Sequence, residues 1–191
     1  MLDCASCLVV ESDRVSLFVY KLTTDDGGAP CVVNGLLSLA ICKPMIRKKA
    51  KPGDLIFGFA ANSLHSDNRL IYVARVAKAI PGGDYYRQRR YPGRPDRIYK
   101  WRSDGTFTHR EDAQFHWSDE SDVRDEHLRH DLGSFSDYER ATVLVSDDYR
   151  YFGADSPSTR RSCLEFRSPH RPRPSRPQPL SGSGARAERA L

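Results

Sequence analysis

From Cys42 to Lys51 the chain reads CKPMIRKKAK, with Lys43, Arg47, Lys48, Lys49 and Lys51 setting five positive charges between two apolar runs. Cations at that density suit phosphate contact, which supplies affinity and register without reading bases. The competing use is a solvated helix face. A second cluster, DYYRQRRY, interleaves Tyr85, Tyr86 and Tyr91 with Arg87, Arg89 and Arg90. Rings among guanidiniums can stack a base and hold its phosphate, or can cover one end of a core. Trp101 and Trp117 are the two tryptophans. The candidate binding residues are therefore Lys43, Arg47, Lys48, Lys49, Tyr85, Arg87, Arg89, Arg90 and Trp101.

Other reactive residues point to weaker chemistry. Cys42 beside Lys43 at a helix start has the cationic neighbour of an activated thiol, yet a small residue ending a strand reads better as a buried hydrophobe. His109 with His116, or His127 and His130 with Asp131, could be drawn as a metal site. The segment holding them is acidic and poorly patterned, so surface polar chemistry is the stronger reading. Cys4 and Cys7 form a C-x-x-C without the second ligand pair that a zinc ribbon needs. No nucleophile elbow, phosphate-binding loop or dinucleotide fingerprint occurs. The residues thus assign no catalytic group, no metal and no cofactor.

The elements that must position these groups follow from periodicity. Arg14–Leu22 alternates as a first strand, and Gly35–Ile41 is a short apolar run, either a strand or a helical turn. Pro44 suits the first position of a short helix, which KPGD ends. Leu55–Ala60 and Arg69–Ile80 are strands joined by a polar loop, the second long enough to bend across a barrel. A short helix at Asp84–Arg90, strands at Arg97–Arg102 and after Gly105, and a further strand segment at Arg140–Gly153 complete the pattern. Residues 110–136 read as a surface helix or an ordered loop.

These elements need only one domain of a 191-residue chain. The charge is uneven: +8 over residues 1–103, −9 over 104–157 and +6 over 158–191. The pI near 9.0 therefore owes much to the terminal stretch, whose Arg/Pro alternation is a disordered composition. The expected organisation is a disordered leader at 1–13, a folded α+β domain at 14–157 and a disordered tail at 158–191. No apolar run is long enough to span a membrane. Five cysteines at scattered spacings fit a reducing compartment, so the expected location is the cytoplasm, and a monomer is expected.

In order along the chain, DDGGAP, LAICKPMIRKKAKPGDLIFGF, NRLIYVARV, GGDYY, RPDRIYKW, HLRHDLG and VLVSDDYRYFG resemble the nucleotide modification associated domain family, specifically its second type. The basic helix, KPGDLIF and RLIYVARV together resemble the wider PUA-like superfamily, in its EVE, ASCH and YTH branches. The resemblance covers about Val15 to Pro157. It departs where the family often carries His after IY, for this chain has Lys100. What it implies is a small PUA-like β-barrel with short helices that recognises a modified base or nucleotide. Nucleic acid or a modified nucleotide would be its ligand, with base-modifying or restriction enzymes acting alongside. The alternative is an enzyme acting on modified nucleotides through the His/Asp-rich segment 109–131.

Overall fold

The structure is a computed structural model describing residues 15–135 and 137–154, so the expected leader and tail lie outside the described residues. In chain order it runs β1 (Leu17–Leu22), β2 (Cys31–Val33), β3 (Leu36–Leu39), α1 (Pro44–Lys49), β4 (Leu55–Ala60), β5 (Leu70–Arg75), β6 (Lys78–Ile80), α2 (Asp84–Arg87), β7 (Tyr99–Trp101), β8 (Phe107–His109), α3 (Ser121–Leu132), β9 (Val143–Ser146) and β10 (Asp148–Tyr151). No helix among the described residues is long and apolar enough to cross a membrane.

The strands form two four-stranded sheets, β1-β4-β5-β10 and β2-β3-β9-β6, and a separate hairpin of β7 and β8. β4 and β5 pair antiparallel, as their polar connection predicts, while β1 joins β4 in parallel. Residues 69–80 alternate as one long strand, but the chain changes sheets within them. At the break Val76 N–H donates to Asp54 O at 2.8 Å and Ala77 N–H donates to Val145 O at 2.9 Å. Residues 143–151 do the same, β9 lying in one sheet and β10 in the other.

The α+β class is as expected, but no barrel closes among the described residues. Both crossing segments break their pairing where they change sheet. A closed barrel needs continuous pairing around its circumference, so the sheets stay open with four edges.

Between the two sheets Tyr20, Leu22, Leu37, Leu39, Ile56, Ile71, Tyr72 and Leu144 form one core. Its closeness depends on Gly58, where an added Cβ would overlap the Tyr72 ring and lie 2.7 Å from a Leu22 methyl. The opposite side of the second sheet packs Val143 and Val145 against Tyr85, Tyr86, Ile98, Tyr99, Phe107 and Leu132. Successive strand residues point to opposite faces, so β9 serves both cores at once. The second core is an aromatic layer that locks α2, β7, β8 and α3 onto the sheet and fixes the loops around its rim.

Candidate functional site

α1 begins as the sequence predicts, with Pro44 in its first turn. Proline's preset φ starts the helix at once, so the residues after β3 must turn sharply to meet it. They do so at Cys42 (φ 56°) and Lys43 (φ 45°). A third left-handed residue, His116 (φ 55°), lies on the loop between β8 and α3. These are three of the six non-glycine residues with positive φ among the described residues. Such conformations persist only where surroundings hold them, and they concentrate at functional sites.

What holds them is Asp131, in the last turn of α3 and fully buried. Its Oδ1 accepts the Cys42 N–H at 2.8 Å, and its Oδ2 accepts the Tyr99 hydroxyl at 2.8 Å. His116 Nδ1 lies 2.8 Å from the same Oδ2. On the far side of that ring, His116 Nε2 is 3.4 Å from Cys42 Sγ. Cysteine, imidazole and carboxylate therefore stand in line, brought together from positions 42, 116 and 131. His127 packs its ring 4.8 Å from that of His116 and donates from Nδ1 to the His116 carbonyl at 2.9 Å. His130 approaches Asp131 Oδ1 at 3.3 Å.

Electrostatics follow from this line. Burial opposes charge on His116, but hydrogen bonds to Asp131 and Cys42 and the negative charge of Asp131 outweigh it and raise its pKa to about 10. For Asp131 burial pulls the other way, and the bond to His116 holds the carboxyl below its ordinary value. His109 is pushed down to about 4 by burial and by His116 and His127 nearby. At neutral pH the arrangement holds an imidazolium at Nε2 beside sulfur, while His109 is neutral.

Cys42, Lys43 and His116 line an open cleft of about 410 Å³. Its other walls are Tyr20, Leu22, Thr23, Thr24, Asp26, Gly28, Ala29, Ile41, Gln114 and Phe115. Gly28 lets the Phe115 ring come close, since an added Cβ there would sit 3.0 Å from it. Lys43 Nζ lies 4.9 Å from the Tyr20 ring centre and donates to Lys21 O at 3.3 Å.

The sequence-predicted residues separate. Arg47, expected at phosphates, is fully buried: Nε donates to Cys42 O at 2.7 Å, Nη1 to Thr142 O at 3.0 Å and Nη2 to Asp131 O at 2.8 Å. It faces inward with Ala50 because its fork of donors satisfies three backbone carbonyls there, and its charge is balanced by Asp131 Oδ1 at 3.7 Å. Tyr85, expected to stack a base, is also fully buried, its hydroxyl bonded to Asp96 at 2.8 Å and its ring stacked on Tyr91 at 4.9 Å. The YY pair is core because α2 turns both rings into the aromatic layer. Lys48, Lys49, Arg87, Arg89 and Arg90 are exposed. Arg87 lies 4.0 Å over the half-exposed Trp101 ring and pairs with Asp84 at 3.1 Å.

Of the predicted set, Lys43 alone lines the cleft. Sequence reasoning considered Cys42, His116 and Asp131 but did not join them. Their spacing carries no local signal, though two of them fall in the His/Asp-rich segment. Among the described residues no group of three or more His, Cys, Asp or Glu side chains is arranged to hold a metal ion. The family model described as nucleotide modification associated domain 2 matches residues 14–175. No curated protein and no solved structure matches the chain.

Proposed function

The chain belongs to the nucleotide modification associated domain 2 family, and we propose that it recognises a modified base or nucleotide, held in the cleft between Tyr20, Lys43 and His116. The observation that carries this reading is the pairing of two cationic groups, Lys43 and His116, with aromatic walls in one cleft. A volume of about 410 Å³ is within the usual span of small-ligand sites, roughly 300–1,000 Å³. The cations suit a phosphate, the partly exposed Phe115 supplies ring surface for a base, and Thr23, Thr24, Asp26 and Gln114 offer hydrogen bonds to base edges. A base presented from nucleic acid would enter flipped out or single-stranded.

Exposed Lys48 and Lys49 on α1, which begins at the cleft, would follow the backbone of a longer ligand. The path from α1 through the Gly53–Asp54 turn into β4 supports a wider PUA-like relationship. A base-modification or restriction system is the setting this reading implies.

Titrating the chain with deoxynucleotides and oligonucleotides carrying modified or ordinary bases, and following Trp117 fluorescence beside His116, tests the reading. Saturable binding that prefers a modified base and weakens about tenfold in Lys43→Ala supports it. Binding that is indifferent to both the base and Lys43 removes the cleft from the account.

A further inference from the structure

A binding cleft needs no nucleophile at its floor, yet this one has a thiol in line with a hydrogen-bonded imidazole and a buried carboxylate. The three parts differ in burial as their roles require. Cys42 is partly exposed and lines the cleft. The His116 side chain is 21% exposed, and the Asp131 side chain is fully buried. Two of the three, Cys42 and His116, sit in left-handed backbone, a conformation that concentrates at functional sites. Cys31 provides the internal contrast: it is buried, and burial with Asp96 nearby pushes its thiol up to about 11.

We propose that Cys42 is a catalytic nucleophile and His116 its acid–base partner, with Asp131 as a positioning residue, in acyl transfer to water from a nucleotide whose base carries an ester- or amide-linked acyl group. The nucleotide part of that substrate rests on the binding reading above; the thiol chemistry does not. An imidazolium bonded to sulfur is the setting from which thiol nucleophiles react. Asp131 fixes the ring's tautomer and direction through Nδ1, and the Tyr99 hydroxyl and Cys42 N–H in turn fix Asp131.

In the first half, the Cys42 thiolate attacks the carbonyl carbon, a C–S bond forms, and the carbonyl π pair moves onto oxygen. When that pair returns, the bond from carbon to the leaving nitrogen or oxygen breaks. The leaving atom takes the proton from His116 Nε2. In the second half, water gives a proton to the now neutral Nε2 while its oxygen attacks the thioester carbon. The C–S bond breaks, and sulfur leaves as thiolate beside the restored imidazolium. One water is consumed, one carboxylic acid and one amine or alcohol are released, and nothing is oxidised or reduced. A metal or redox cofactor has no step to perform in this sequence.

The test uses the full chain and p-nitrophenyl acetate, with acid quenching and peptide mass mapping. The expected result is a burst of nitrophenolate and a single acetyl group on Cys42, formed faster than on Cys4, Cys7 or Cys163. His116→Gln, at the partly exposed ring, should slow this acetylation by about 10²-fold or more. Asp131→Asn should move the limb of the pH–rate profile that reports loss of the His116 proton to lower pH, a change that loss of stability alone does not produce. Acetylation of Cys42 no faster than of the other cysteines, or unchanged in His116→Gln, overturns the proposal.

Nucleotide competition separates the two readings. Nucleotides that bind while Cys42 stays inert sink the thiol chemistry and leave the binding reading standing. A reactive Cys42 that no deoxynucleotide or oligonucleotide protects does the reverse for binding and withdraws the nucleotide from the proposed substrate.

Discussion

Replacing Arg47 by Met removes a guanidinium that three backbone carbonyls share and that balances the Asp131 carboxylate. Breaking a buried ion pair from one side costs about 3–5 kcal/mol, so denaturant unfolding should show a loss of that order. Lys48→Ala, at an exposed position, should stay within about 0.5 kcal/mol of wild type. His116 makes a prediction of different form. Its pKa rises from 6.5 to about 10 on folding, so the folded state binds a proton that the unfolded state has released across that interval. The stability it contributes is complete below pH 6.5 and is lost as pH rises through 10. Thermal midpoints should fall across that window, and His116→Gln should flatten the fall. Equal slopes in the two proteins would show that His116 is not the group responsible.

At the scale of elements, α1 is too short to persist alone, since an isolated helix of a few turns is marginal in water. Arg47 and Ala50 bury its inner face, and the turn after it is fastened by Asp54, whose carboxylate accepts the Ser16 and Lys51 N–H groups at 2.8 Å each. Gly53 in that turn has φ 96°, a conformation that side chains resist. The KPGD motif therefore builds the joint between α1 and β4, with no contact to the cleft. The β4–β5 pair depends on a different glycine. Gly58→Ala should cost about 1–3 kcal/mol, because Tyr72 and Leu22 must shift to admit the methyl. A melt unchanged from wild type would mean that the two sheets are packed more loosely than Gly58 implies.

Over the whole molecule, charge is spread unevenly, and the cations that remain exposed decide any nucleic-acid affinity. A double Lys48→Ala, Lys49→Ala variant should weaken binding to modified and ordinary strands by one common factor, since phosphates carry no base identity. It should also lower the slope of log affinity against log salt by roughly one to two. Isotherms at several salt concentrations measure both quantities. A wild-type slope would leave those lysines as solvated surface.

The chain's own pattern settled most of its elements. Alternation marked β1, β4 and β5, proline marked the start of α1, and Asp, Gly and Pro clusters marked the turns, because these signals act within a few residues. Family membership was legible for the same reason, through motifs that are each local. Pairing was not. That residues 69–80 and 143–151 each divide between two sheets depends on which partner offers free backbone groups, a choice made across the whole fold. The fate of single side chains was likewise decided by packing. Arg47 and Tyr85 have the residue types of a binding surface, yet the aromatic layer and α3 close over them. Cys42, His116 and Asp131 meet although 74 and 15 positions separate successive members. No pattern within a helix or strand reaches that far, and only the docking of α3 against the turn after β3 brings sulfur, imidazole and carboxylate into line.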